Sequence, residues 1–308
     1  NRVLNLLVHF GADEKILYES HPHIGTNKLP GIITAMRMAI INCGGEFLFD
    51  KKAVDFIIEK EKIRSVTTAD GNRYDGEAVI LATGHSARDI FELLQHKKIL
   101  IEAKPFALGV RAEHPQSLID GAQYHTPVRN ELLPPASYSL VEQVNGQGVF
   151  SFCMCPGGII APASTNQNEL VVNGWSPSKR NNPFANSGMV CEVKTGDLSV
   201  IKKWPEFTAG NNALNGPLGM MYFQEAVEKR AFNAGGGKFV APAQRMDDFV
   251  SNRSFDIGDI IADGIGCAAG WFFSYSSSCL QGDAALGIRL RQHDANKSST
   301  ERCFATFS

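Results

Sequence analysis

The sequence of 308 residues predicts an α/β fold, a helix-covered core sheet interrupted by a β-rich second domain. Two observations carry this expectation. An apolar run without polar alternation, Ala78 to Ala82, follows a helical stretch and then an antiparallel meander. Such a run suits a strand covered on both faces, as in a parallel sheet. From about Gly109 to Val250 the chain is instead rich in Gly, Pro, Asn and Ser, with short strand-like pieces between them, a pattern of β structure joined by turns. The expected boundaries are residues 1–108 for part of the core domain, 109–250 for the β-rich domain and 251–308 for a C-terminal segment returning to the core.

The elements follow in order. Val3, Leu6, Leu7 and Phe10 fall at helical spacing, and Gly11 stands where a helix is capped. A second helix is expected from Leu29 to Cys43, with Ile33, Met36, Arg37 and Ile40 on one face and Gly44-Gly45 to end it. The period then changes. Glu46 to Phe49, Ala53 to Glu59 and Ile63 to Ala69 are β-branched or aromatic runs, with turns at Glu59 to Lys62 and Asp70-Gly71, predicting an antiparallel meander. It leads into the apolar run, which Thr83-Gly84 ends. In the second domain Gly148 to Met154 and Glu169 to Asn173 read as strands.

Composition narrows the function classes. With 44% hydrophobic and 20% charged residues the chain can bury a full core. A formal net charge of -2 leaves no basic footprint for nucleic acid, so the expected partner is a small molecule. The longest apolar runs fall far short of the ~18 residues of a membrane span. Seven cysteines, an odd number without a secretory leader, predict reduced thiols in a cytoplasmic compartment. Asn1 in place of a starting Met reads as a fragment, with any upstream targeting segment out of view.

The chemistry-bearing residues cluster after the apolar run and in the second domain. Ala82, Thr83 and Gly84 present little bulk, so a flat ligand can approach their backbone, although an ordinary strand end reads the same way. Ser86 lies in the same turn. His85 and Arg88 follow directly; Arg88 suits a phosphate or carboxylate through its planar fork, or an ion pair in a surface loop. Cys153-Met154-Cys155, followed by Pro-Gly-Gly, offers thiols. On a strand their sulfurs at i and i+2 share one face, which allows either redox chemistry or burial as small hydrophobes. No second Cys pair or His cluster stands at metal-ligand spacing, so no metal is expected. Lys104, Arg111, Glu113 and His114 put cationic and carboxylate groups near the expected domain junction, where His114 can serve as acid or base near neutral pH. A solvated charged loop fits the same residues.

Several longer strings occur in one order: Pro22-His23-Ile24-Gly25-Thr26, Ala82 through Asp89, Lys104-Pro105-Phe106, Glu113-His114-Pro115, Phe152 through Gly158, and Ala241 through Arg245. From about His21 to Val250 the chain resembles the FAD-utilising dehydrogenases, an NAD(P)/FAD-dependent oxidoreductase family. The resemblance implies a Rossmann-like FAD/NAD(P)-binding core and hydride transfer between FAD and a small-molecule substrate, with NAD(P)H as a further partner. It implies cofactor contacts from Ala82, Thr83, Gly84, Ser86 and Arg88. Catalytic roles fall to His85, His114, Cys153 and Cys155, and substrate contacts to Lys104, Arg111, Arg180 and Arg245. The Gly-x-Gly-x-x-Gly expected at the family's amino terminus is not found before His21. Asp263 through Gly270 resembles the family's late Gly-rich loop and would bring Gly264 and Gly266 to the flavin. A remnant that no longer binds FAD is the rival reading.

Overall fold

The computed structural model describes residues 2–60, 62–144 and 147–238, together with the backbone of two short strands, Gln244–Arg245 and Arg302–Phe307. Helix α1, Arg2–His9, ends at Gly11, whose φ of +108° is open to glycine without strain. Helix α2, Leu29–Asn42, starts with Pro30 in its first turn, where a missing N–H costs nothing. Both helices and their caps match the sequence reading. The buried face of α2 does not: Ile32 is 2% exposed while Ile33 and Ile40 face outward. Ile32 and Met36, one turn apart, pack with Ile16 and with Leu4, Leu7 and Phe10 in a small amino-terminal core.

Strands β1, Ala53–Glu59, β2, Lys62–Thr68, and β3, Arg73–Asp75, form the expected antiparallel meander. The Asp70-Gly71 turn has Gly71 at a φ of +84°. Glu46 to Phe49 is not a strand but the loop entering it.

The apolar run after the meander departs most from expectation. Residues 78–84 are not a strand, and Ile80 and Leu81 are 90% and 45% exposed. A strand needs neighbours to satisfy its backbone, and none of the described strands pairs with this run. The ladders formed by the described residues are antiparallel. The parallel core is therefore not seen among them.

Helix α3, Arg88–His96, follows at once and buries Ile90. The β-rich part then begins with β4, Phe106–Pro115, which crosses the expected boundary between residues 108 and 109. Helix α4, Gln116–Tyr124, continues from it. After these come β5, Val141–Val144, β6, Gln147–Cys155, β7, Ile159–Pro162, β8, Val172–Trp175, and β9, Phe184–Val193. With β10, Gln244–Arg245, and β11, Arg302–Phe307, the larger sheet has the order β10-β11-β4-β9-β6-β5, and β7 pairs with β8 beside it. Thus β11, from the expected C-terminal segment, pairs with β4 of the second region.

One end of the sheet is covered by two 3-10 helices, Thr195–Lys203 and Asn211–Asn215, and by α5, Gly219–Ala234. Leu108, Val193, Leu198, Ile201, Trp204 and Phe223 form the core there. Arg88 of α3 is locked to α5 and to the loop before β8: Nη1 donates to Glu169 at 2.7 Å and Nη2 to Glu228 at 2.8 Å, with both carboxylates 1% exposed. This triad holds the turn after the apolar run against the β-rich part.

Candidate active site at the Cys155 turn

Strand β6 loses its register with β9 between Phe152 and Cys155, and Cys153 takes a φ of +46°. This is a bulge, with one residue too many on β6. It separates the two thiols that an unbroken strand would put on one face. Cys153 is exposed and Cys155 partly buried, with the Cys155 Sγ 3.3 Å from the Cys153 carbonyl it donates to. Burial of both as small hydrophobes, one of the two readings of the motif, therefore fails at Cys153.

The Pro-Gly-Gly turn is wedged against a second strained segment. Gly157 has a φ of +52°, and a Cβ there would lie 1.8 Å from the Arg180 carbonyl oxygen. Arg180 itself has a φ of +47°. Left-handed backbone at Cys153 and Arg180 costs on the order of 1 kcal/mol or more per residue and persists only where the surroundings enforce it. They do so here with fixed hydrogen bonds. The Gly157 N–H donates to Gln116 Oε1 at 2.8 Å, the Ser176 hydroxyl to the Pro156 carbonyl at 2.9 Å, and the Asn182 N–H to the Gly157 carbonyl at 3.3 Å. Gln116 is in turn fixed by donating to Asp120 and to the Ala136 carbonyl.

The amino-terminal strap lies on the same loop. Thr26 donates from both its N–H and its hydroxyl to the Ser176 carbonyl. The His23 Nε2 is 3.2 Å from the Pro177 carbonyl, and a Cβ on Gly25 would strike Ser178 at 2.4 Å. Pro22 to Thr26 and Phe152 to Gly158, far apart in sequence, thus build one structure.

Inside it sits Arg111, 1% exposed. Its Nη1 donates to Asn186 Oδ1 at 2.6 Å and to the Cys153 carbonyl at 3.1 Å, both neutral. Among the described residues no carboxylate pairs with it. Its Nε and the Nδ2 of Asn186 are buried without a partner. Burial lowers the guanidinium's pKa, opposed by the neighbouring Cys155 and Cys153, yet an arginine stays a cation in a protein. Strand β8 passes so close that a Cβ on Gly174 would stand 2.4 Å from Cys155 Sγ, 2.5 Å from Arg111 Nη1 and 2.9 Å from Asn186 Oδ1. Only glycine admits that approach.

Two further groups face this cluster. The charge of Arg180 acts on Cys155, and its Nε is buried and unpartnered. Burial nevertheless prevails over the two arginines and pushes the Cys155 thiol up, so it is predominantly protonated at neutral pH. His114, two residues on from Ala112, has Nε2 2.9 Å from the Tyr138 hydroxyl, ring against ring at 74°, and its Nδ1 unpartnered. Burial lowers the His114 pKa and pushes Tyr138 up to about 12. Both are therefore neutral at physiological pH, and the pair can pass a proton through its shared hydrogen bond.

Residues 105–263 match the family model described as FAD-dependent protein, C-terminal domain-like. This chain belongs to that family. The match covers β4 to β9, the strands that carry the Cys155 turn. A protein of Clostridium beijerinckii, described only as uncharacterized, is 37% identical over 281 residues, which is 90% of this chain. The chain spans 49% of that relative's length.

The residues expected at the cofactor lie outside the matched stretch. Ala82, Thr83 and Gly84 are exposed; Gly84 has a φ of +76°, and a Cβ there would meet nothing within 4 Å. This open backbone suits the approach of a flat ring. His85 is exposed and shares a hydrogen bond of 3.1 Å with Ser86. Arg88, expected at an anion, has both terminal nitrogens engaged by Glu169 and Glu228. A pyrophosphate cradle of the Gly-x-Gly-x-x-Gly kind is not found among the described residues. Residues 82–84 are thus exposed, open backbone. Lys104 is exposed. Gly264 and Gly266 lie outside the described residues, as does the side chain of Arg245.

Of the expected site residues, Arg111, Cys153 and Cys155 meet, the Arg180 backbone abuts the adjoining turn and His114 pairs with Tyr138, while His85, Ser86 and Lys104 make no contact with them among the described residues. The sequence reading missed Tyr138, Gly174, Gln116, Glu169 and Glu228. Only Gly174 left a signal, a glycine directly after the strand-like run Glu169 to Asn173.

Proposed function

We propose that this chain is the substrate-binding part of an FAD-dependent oxidoreductase, acting as a dehydrogenase on a small molecule with NAD(P)H as a candidate second partner. The observation behind this reading is the cluster of Arg111, Asn186, Cys155 and the His114–Tyr138 pair, held by strained backbone within the stretch that matches the FAD-dependent family. Strain kept by a dense set of hydrogen bonds is a feature of sites rather than of passive scaffold.

A flavin, when bound, supplies the hydride acceptor or donor. Ala82, Thr83 and Gly84 would lie along it through their open backbone. The chain's own work is on the substrate. Arg111 and Arg180 supply positive charge, His114 and Tyr138 hold a proton at Nε2 or the phenol oxygen, and the Cys155 turn sets the wall. Because Cys155 is predominantly a thiol, its part is contact with the ligand rather than attack on it.

The test is a titration of FAD into the purified chain, followed by flavin fluorescence and by bleaching under NAD(P)H. Saturable binding that Gly84→Val removes in a folded protein supports the reading. A chain that stays colourless and binds no FAD is the remnant instead.

A further inference from the structure

We infer that the Glu169–Arg88–Glu228 triad is a proton-operated latch. With a proton on one carboxyl it clamps α3 and the turn before it to the β-rich part, and with both carboxylates ionised it lets them part. The inference concerns the regulation of the 82–84 backbone edge, and it rests on the reading above only for the claim that a flavin meets that edge.

The latch joins three stretches of chain. Arg88 opens α3, Glu169 lies in the loop before β8, and Glu228 lies within α5. The loop is itself seated on α5, since the Leu170 N–H donates to the Glu228 main-chain carbonyl at 3.0 Å. Leu170 also packs with Ala231 and Phe232. On its other side α3 is tied to the meander by Lys52–Asp89 at 2.8 Å and by Lys97–Asp55 at 2.6 Å. Through Arg88, the meander, α3 and the turn at residues 82–87 are thus coupled to the β-rich part.

Charge makes the coupling conditional. One guanidinium, 10% exposed, faces two carboxylates that are each 1% exposed, so the fully ionised triad buries a net negative charge. A buried charge short of its partners is costly. One proton removes the excess, and the arrangement provides for it. The Glu169 and Glu228 carboxyls also meet in a hydrogen bond, which requires one of them to carry a proton. Burial, opposed by Arg88 and aided by Glu169, accordingly raises the Glu228 pKa to about 7.

The surrounding charges leave that balance in place. Against Glu228, α3 presents Arg88 and the loop presents Glu169, to which Asn166 donates at 3.4 Å. On α5 itself Glu225 is paired with Lys229, and Arg230 lies over Trp204 and 3.8 Å from Glu206. Glu92 of α3 acts on Tyr222. Among the described residues the ion pairs of Glu169 and Glu228 are both made with Arg88, so the triad titrates as a unit.

Linkage gives the direction. Once the latch opens, Glu228 returns toward its ordinary pKa of 4.5, so the open form holds the proton less tightly than the closed one. The open fraction is therefore smallest below about pH 4.5, grows by up to about tenfold per pH unit until about pH 7, and levels off above it.

Hydrogen exchange of the full chain between about pH 5 and about pH 8, read by mass spectrometry and corrected for the intrinsic pH dependence of exchange, measures that fraction segment by segment. The reporters are the amides of Arg88, Ile90 and Phe91, bonded to the Ser86 and Ala87 carbonyls, and that of Leu170. The references are Phe56 and Val66, partners in the meander, and Val190 in β9. Protection of the reporters should fall at least about tenfold from pH 5 to pH 7 and then level, while the references hold. Glu228→Gln and Glu169→Gln should each keep the reporters protected at every pH, because each leaves one carboxylate for one guanidinium. Should either variant fail to fold, the other decides. Reporter protection that ignores pH would overturn the inference, as would a fall shared by the references or one that persists in a folded Gln variant. No arm needs a flavin: a chain that binds no FAD can still show the latch, and one that binds FAD can lack it.

Discussion

Arg111 donates to Asn186 across β4 and β9 at 2.6 Å, a diagonal pair in which Arg111 stands opposite Gly188 and Asn186 opposite Glu113. Asn186 is completely buried, so its carbonyl oxygen meets a cation with little help from solvent. Asn186→Ala should leave Arg111 an acceptor short and lower stability by about 1–3 kcal/mol. An unchanged denaturant midpoint, with an unchanged m-value, would mean that water replaces the amide.

The Glu169–Arg88–Glu228 triad carries one positive charge for two carboxylates. Burial, only partly offset by Arg88, raises the Glu228 pKa from 4.5 to about 7. A carboxyl that binds its proton more tightly in the folded state gives stability that is full below its unfolded pKa and is lost as pH rises through the folded one. Unfolding midpoints should therefore fall between about pH 4.5 and about pH 7. Glu228→Gln, which mimics the protonated acid, should flatten that decline. A decline as steep in the variant would assign it to other groups.

Removing the cation from the same triad is a different matter. Arg88→Met leaves two buried carboxylates facing each other and should cost about 3–5 kcal/mol. Adding Glu228→Gln to that variant should restore part of the loss, because one charge then disappears. Additive effects of the two substitutions would show that they are energetically independent.

Two glycines of positive φ separate strain from crowding. Gly84→Ala meets open space, so only the left-handed backbone opposes it, at about 1 kcal/mol. Gly157→Ala adds a Cβ 1.8 Å from the Arg180 carbonyl oxygen, backbone that cannot step aside. Its loss should exceed that of Gly84→Ala by at least ~2 kcal/mol. Similar melting temperatures for both variants would refute the proposed wedge between the turn and Arg180.

Much of the local structure was legible in the sequence. Helical periodicity and capping glycines located α1 and α2, β-branched and aromatic runs between turns located β1 and β2, and a β-rich region after Gly109 was visible from its turn residues. The strings around Cys155, Arg111 and His114 also stood out. These are properties of a short window of chain, set by side-chain period and by which residues tolerate positive φ. The same window misled at Ala78 to Ala82, where an apolar run states what a strand prefers but not whether a neighbour is present to pair with it.

Partnership and burial were decided only by the tertiary structure. Arg88 offers one fork to phosphate, substrate or carboxylate alike, and the choice of Glu169 and Glu228 depends on groups 81 and 140 residues away. The bulge at Cys153 depends on register with β9, and it alone turns two cysteines of one motif to different surroundings. The sequence determined which residues can bear chemistry; long-range packing decided which of their donors are already bonded and which remain free. The reason is physical: a hydrogen bond is satisfied by whatever the fold brings within about 3 Å, and chain-local preference carries no information about that neighbour.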